Sequence, residues 1–353
     1  FDSCQSYTSP PPVELMARAA LAFAIVAVWL VKAHARPIYY ASGKSVALQP
    51  CEVASNDDGF AFLTSAGGVQ TWGGGHPSFF TEAATNVSSN VVSVIGSKDS
   101  FAAIKDDGSI VNWPAETPYG YANYDGMGSA TSEDLGSEVV SITANWGAFA
   151  AVKADGSVVA WGSSSNGGDT SAVAANLSSG VKVVHYMRRG FVAEKTDGTF
   201  VVWGFSSVTT GFDAISSQMA SKNVSAFFSS LSSCAALFSD GSVVSWGSGD
   251  GSDSSGVSAD LVDVQTITAN EHGFAALRGD GRVVAWGNAN YGGDLSGVSA
   301  DVASGVVSVV GSGTAFAALK DDGTVVAWGQ ASKGGNATGM SSSLVNVTAI
   351  IPN

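Results

Sequence analysis

One fourteen-residue phrase recurs seven times in this chain, and the recurrence restricts the fold more than any other feature. Its clearest copy is FAALKDDGTVVAWG, from Phe316 to Gly329. The copies open at Phe60, Phe101, Phe149, Phe191, Cys234, Phe274 and Phe316. A glycine follows seven residues later (Gly67, Gly108, Gly156, Gly198, Gly241, Gly281, Gly323) and a tryptophan twelve residues later (Trp72, Trp113, Trp161, Trp203, Trp246, Trp286, Trp328). Successive tryptophans stand 40 to 48 residues apart. That period belongs to repeat architectures, in which each unit buries its apolar faces only against its neighbours.

Six of the seven glycines follow an aspartate. Asp-Gly between two short β-prone runs predicts a hairpin with a tight turn in which both central residues take positive φ. Another β-branched run precedes each hairpin: Val91 to Ile95, Val139 to Thr143, Val181 to Val184, Val224 to Phe228, Val264 to Thr268 and Val306 to Val310. Three strands per unit result, and the 18 to 26 residues after each tryptophan leave room for a fourth. The strands FAAL and VVAW are apolar at consecutive positions, so both faces of each sheet need cover, and no helical period is expected between them. Sheets that cover one another around a ring form a propeller, which also protects their edges. The expected fold is therefore all-β, a seven-bladed β-propeller over residues 50–353, preceded by one N-terminal hydrophobic helix. The last run, Val347 to Ile351, falls in the register of one more first strand. It is expected to complete the first blade, where the equivalent stretch holds Pro50, and so to join the two ends of the propeller.

The units resemble the repeats of the regulator of chromosome condensation family, most closely in GFAALRGDGRVVAWGNANYGGDLSG, from Gly273 to Gly297. The resemblance covers roughly residues 50–353. It rests on the AL-xx-DG-x-V-xx-WG core and on a glycine six residues past the tryptophan, at Gly167, Gly292 and Gly334. The family's histidine before the Ala-Leu pair is absent from every unit, with Gly190 or Gly273 in its place in two of them, and its later Gln-Leu is replaced, for example by Gly293 and Asp294. The resemblance thus implies a divergent member, sharing the scaffold without any one member's activity. Guanine-nucleotide exchange on a small GTPase is the enzyme-regulator alternative that it raises. Light sensing through clustered tryptophans is another use known in the family. Here seven tryptophans hold one fixed slot, which argues for packing, and only Trp146 lies outside it in the globular part.

The formal net charge is −14, from 30 acidic and 16 basic residues, with no lysine or arginine stripe. A nucleic-acid surface needs clustered positive charge to displace counterions from phosphates, so no nucleic-acid partner and no nuclear location is expected. The N-terminus carries Met16-Ala-Arg, an apolar core from Ala19 to Val31, and Ala33-His34-Ala35. This pattern reads as a secretory signal at residues 16–35, behind a leader or upstream segment at 1–15 and before a linker at 36–49. The competing reading is a retained membrane helix over residues 13–35, with Lys32, Arg36 and Lys44 outweighing Arg18 and holding the propeller on the cytoplasmic or stromal side. Five sequons, at Asn86, Asn176, Asn223, Asn336 and Asn346, give weak support to a route through the secretory pathway. Of the cysteines Cys4, Cys51 and Cys234, the last occupies an aromatic slot of the repeat and is expected to be a small buried hydrophobe.

No catalytic constellation emerges. His34, His76, His185 and His272 are scattered, with no metal-binding spacing, nucleophile elbow or phosphate loop around them. The Asp-Gly pairs lack the alternating ligands of a calcium loop and are what turns require. No enzyme activity, cofactor or metal is expected.

Recognition in a repeat scaffold belongs where the repeat is broken. The loop between the first strand and the hairpin varies from unit to unit: Lys98-Asp-Ser, Asn145-Trp-Gly, His185-Tyr-Met-Arg-Arg-Gly, Ser230-Leu-Ser, Asn270-Glu-His and Ser312-Gly-Thr. Neighbouring units would bring Trp146 close to His185, Tyr186, Met187, Arg188 and Arg189, an aromatic and arginine mixture suited to a protein partner. His272 belongs to an equivalent loop. The connection after Trp113 is about six residues longer than the others and carries Tyr119, Tyr121 and Tyr124, efficient contact residues. The function these features suggest is protein binding by a secreted or lumenal propeller, or by an accessory subunit held to a membrane complex through one helix. A carbohydrate-binding lectin is the third alternative.

Overall fold

The computed structural model describes residues 53–55, 59–73, 87–98, 100–114, 138–340 and 343–351. They form seven antiparallel sheets of three strands each, all within the unit Pro37–Asn353. In every sheet the strands follow chain order, as in β1 (Val53–Ser55), β2 (Gly59–Leu63) and β3 (Val69–Gly73) of the first sheet. The phrase found in the sequence is the β2–β3 hairpin and its six copies. Its aromatic start and its tryptophan pair across the two strands, as Phe316 does with Trp328 and Phe274 with Trp286.

Consecutive apolar residues are explained by what lies on each side. In the middle strand of the second sheet (Ser100–Lys105), Phe101 and Ala103 pack toward the first sheet, while Ala102 and Ile104 pack toward the third. The core is accordingly six clusters, each shared by two successive sheets, from the first and second to the sixth and seventh.

The hairpin turns differ from the two-residue form expected from Asp-Gly. Lys105 N–H donates to Ser109 O and Gly108 N–H to Lys105 O, which closes a three-residue loop of type I followed by a left-handed glycine. Only the glycine takes positive φ, +77° at Gly108, while the aspartate does not. The aspartate serves instead as an acceptor: Asp107 Oδ1 takes the N–H of Ser109 at 2.8 Å, and Asp155, Asp197, Asp240, Asp280 and Asp322 repeat this contact. The carbonyls of Gly67, Gly108, Gly156, Gly241 and Gly281 then receive the next unit's first strand, as Val181 N–H donates to Gly156 O at 2.9 Å.

Two further expectations are corrected. No fourth strand joins any sheet among the described residues; after Trp161, Trp246, Trp286 and Trp328 the chain folds into short 3₁₀ turns such as Ser164–Asn166 and Ala289–Tyr291. After Trp203 the chain forms helix, α1 (Ser206–Thr209) and α2 (Phe212–Ser221). The cause lies in the next unit, where Cys234 leaves an aromatic slot underfilled. Phe212 and Met219 enter the core there, the Phe212 ring lying edge-on to Trp246 at 5.7 Å. Cys234 is fully buried as a small apolar group, and burial pushes its thiol pKa up.

The last segment also departs from expectation. Val347 N–H donates to Gly323 O at 2.9 Å, the contact that Val91, Val139, Val181, Val264 and Val306 make at the start of their strands, and Asn346 has the positive φ (57°) seen at Asn90 and Asp263. The repeat register therefore continues. Yet Val347–Ile351 is in no strand, and β1 itself supplies the first strand of the first sheet. Among the described residues no helix is long and apolar enough to cross a membrane. The candidate signal or membrane segment, Cys4, Cys51 and Asn86 lie outside them. Asn176, Asn223, Asn336 and Asn346 are exposed.

Candidate binding site

In five units the residue after the first strand folds the following loop back on itself. Ser97, Asn145, Ser230, Asn270 and Ser312 donate their N–H to the carbonyl three residues on, at 2.8 to 3.0 Å. Asn145 is the most fully engaged. Its Nδ2 donates to Asn166 O (2.7 Å) and Gly190 O (3.1 Å), and its Oδ1 accepts from the N–H groups of Gly147 and Ala148. All its polar capacity is used although it is buried, so the loop carrying Trp146 is held rigidly.

The next residue in each loop bridges to the neighbouring unit. Lys98 N–H donates to Trp146 O (3.2 Å), Trp146 N–H to Arg188 O (3.4 Å), Leu231 N–H to Glu271 O (3.1 Å) and Glu271 N–H to Gly313 O (3.0 Å). In the fourth unit Arg188 N–H donates to Ser229 Oγ at 2.8 Å. The loops of units two to seven are thereby linked into one collar. Arg188 Nη2 also meets Glu271 Oε1 at 3.0 Å, an ion pair from the fourth unit to the sixth that passes over the fifth.

On this collar Trp146 is 43% exposed, with Lys98 Nζ 5.2 Å from its ring centroid. Tyr186 is 37% exposed at the end of the first strand of the fourth sheet (Val181–Met187); burial of its hydroxyl raises its pKa, with nearby Arg188 opposing the shift. Arg188 and Arg189 form the tip of the two-residue turn between Met187 and Gly190. Arg189 turns away from solvent: its guanidinium lies 3.5 Å from the Phe205 ring centroid, and burial lowers its pKa.

The remaining candidates from sequence divide by location. Met187 is fully buried with Val192, Val208 and Met219, so it packs the core between the fourth and fifth sheets and is no contact residue. Alternation along the strand explains this: Met187 points inward and Tyr186, its neighbour, outward. His185 sits between sheets, its ring 4.8 Å from Phe227 and its Nε2 3.4 Å from Glu194 Oε2. That contact, with Lys182 at 2.7 Å, holds the Glu194 carboxyl at a pKa of about 2. His272 stacks on Tyr291 at 4.4 Å beside the collar residue Glu271. Tyr119, Tyr121 and Tyr124 lie outside the described residues. Lys98 and Glu271 stand in the variable loops but were not among the expected contact residues; the signal for them was their position, one residue after the Ser or Asn that follows the first strand. Among the described residues no group of three or more His, Cys, Asp or Glu side chains could hold a metal ion.

No protein-family model matches the sequence, and no curated protein matches it. Solved structures do. The chain is similar to the CRINKLY WD40 ectodomain of the Arabidopsis thaliana receptor kinase ACR4, with a TM-score of 0.41 and 11% identity over 80% of this chain and 97% of that one. It is similar to yeast RCC1 (Prp20), solved bound to Kap60, with a TM-score of 0.39 and 14% identity over 90% of this chain and 91% of that one. It is also similar to the C-terminal domain of gp131 from bacteriophage phiKZ, with a TM-score of 0.35 and 10% identity over 85% and 96%. Propellers are thus among its structural neighbours. The described residues form an all-β assembly of seven three-stranded antiparallel sheets.

Proposed function

We propose that the protein is a non-enzymatic, protein-binding β-propeller of the RCC type, whose seven sheets are the blades and whose collar is the docking face. The observation that carries this reading is the linked series of loops. Six units contribute to one continuous, hydrogen-bonded surface, and the side chains it presents are those that differ from unit to unit: Lys98, Trp146, Arg188 and Glu271. A rigid exposed tryptophan beside arginine is the composition of interface hot spots, because such groups bury much area at little entropic cost.

The net charge of −14 favours a protein over a nucleic acid as partner. The N-terminal pattern favours delivery through a membrane route, with residues 16–35 acting either as a cleaved signal to a secreted or lumenal protein or as the anchor of an accessory subunit. Replacing Trp146 and Arg188 together by alanine tests the reading. Capture of the natural partner in a pull-down from the source tissue is expected to be lost while the melting curve stays in place. Retained capture moves the binding face elsewhere.

A further inference from the structure

The first and seventh sheets each present an open face, and the two faces carry the complementary halves of a junction that already exists within the chain. In units two to seven the slot residue (Phe101, Phe149, Phe191, Cys234, Phe274, Phe316) is at most 3% exposed and the paired tryptophan at most 5%. Phe60 and Trp72, stacked at 5.4 Å as are Phe316 and Trp328, are 44% and 52% exposed.

What covers the pairs of the fourth, sixth and seventh units is the turn after the preceding unit's tryptophan. Trp203 Nε1 donates to Gly167 O (2.9 Å), Trp286 Nε1 to Gly251 O (3.1 Å) and Trp328 Nε1 to Gly292 O (3.0 Å). A side chain on any of these glycines would strike the phenylalanine ring: a Cβ on Gly167 would lie 2.9 Å from Phe191, one on Gly251 2.8 Å from Phe274, and one on Gly292 2.7 Å from Phe316. Gly334 ends the matching turn of the seventh unit with the same left-handed backbone, φ +97° against +98° at Gly167 and Gly292. A Cβ built on it would meet nothing within 4 Å. The outer face of the seventh sheet is open as well. Ala317, Val325 and Ala327 are only partly buried, where their counterparts Ala275, Val283 and Ala285 in the sixth sheet are buried. No apolar cluster joins the seventh sheet to the first among the described residues, although six join the other neighbours.

We propose that the turn ending at Gly334 seats on the Phe60–Trp72 pair of the same chain, with Trp72 Nε1 donating to Gly334 O, and that this contact closes the seven sheets into a ring. This rests on reading the sheets as propeller blades. It assigns closure to a glycine turn on an aromatic pair, in place of a C-terminal strand added to the first sheet. The occupant is the same chain, because the register runs on past Gly334 to Asn346 and Val347 and tethering two halves on one chain raises their effective concentration far above that of a second molecule.

Hydroxyl-radical footprinting of the full chain, read by mass spectrometry at Phe60 and Trp72 against Phe316 and Trp328 over a hundredfold range of concentration, tests the contact. Sedimentation of the same samples gives the oligomeric state. Closure requires Phe60 and Trp72 to be protected as well as Phe316 and Trp328, in a monomer and at every concentration. Reactivity several-fold above the internal pair at every concentration overturns it. Protection that appears only as oligomers form also overturns it, assigning the pair to the Gly334 turn of a second copy. As a companion measurement, Trp72→Phe is expected to lower the melting temperature by as much as Trp328→Phe, and no shift at Trp72 contradicts closure. Neither measurement involves Trp146 or Arg188, so closure and partner binding fail independently.

Discussion

At the hairpin end of the sheets seven turns share one hydrogen-bond pattern, whereas at the opposite end the six loops of the collar share a backbone path and differ in side chains. The turns read Asp-Gly in six units because the aspartate accepts an N–H two residues on and the glycine takes positive φ beside the next unit's backbone. Any other residue there costs stability, so the turn has no freedom to serve recognition. In the collar the constraint falls on one position, the Ser or Asn that follows the first strand, and the position after it is free because it bridges through main-chain atoms. If the collar is the docking face proposed above, framework and recognition are separated by residue position within the same forty-residue unit.

The separation can be broken most severely from the framework side. Phe274→Ala, which empties a slot buried against Gly251 and Trp286, is expected to cost about 3–5 kcal/mol, read as a shift in the denaturation midpoint. Gly281→Ala combines φ +78° with a Cβ 2.9 Å from Gly305 N, and a loss of about 1–3 kcal/mol is expected. Asn145→Ala tests the hinge between the two regimes. It strips acceptors and donors from four buried or half-buried backbone partners, so about 1–3 kcal/mol of stability should go, together with some partner affinity as Trp146 loses its support.

Acid should act on the hairpin end before the collar. The turn aspartates Asp107, Asp155, Asp197 and Asp322 have pKa values lowered by the hydroxyl and N–H of the Ser or Thr two residues on, and Glu194 is held at about 2 by His185 and Lys182. A depressed folded-state pKa contributes stability above the unfolded value and loses it as pH falls through the folded one. Stability should thus be flat above about pH 5, taking ordinary carboxylate values as the unfolded reference, and decline below about pH 4. Asp322→Asn should flatten that decline slightly in a pH series of melts. The smallest effect on stability belongs to the collar itself. Trp146→Ala with Arg188→Ala removes an exposed ring and a half-exposed ion pair, so the change should stay within about 1 kcal/mol while binding is lost.

Seven copies of one phrase made the sheets and their order legible, since each apolar position serves the same purpose in every unit. What the phrase could not reveal was how one unit compensates for another. Cys234 in the slot of the fifth unit went with a helix supplying Phe212 and Met219, and their helical spacing with Ile215 was present in the sequence but weak beside the β pattern. The site was partly legible. Trp146 and Arg188 stood out as departures from the repeat and do meet, through the Trp146 N–H and the Arg188 carbonyl. Met187 looked equivalent to its neighbours and is buried, because the strand runs on through it and the turn is two residues long. The pairing of Glu271 with Arg188 was not legible in the sequence, since it reaches across 83 residues and an intervening unit.

The most direct test of the collar as the binding face is site-specific photocrosslinking in the source organism, with a benzoylphenylalanine at position 146 in one chain and at position 155, in a hairpin turn of the same unit, in another. A single discrete protein adduct from position 146 and none from position 155 is the expected result. An adduct from position 155 with none from position 146 would place recognition at the hairpin end and contradict the division of labour between the two ends.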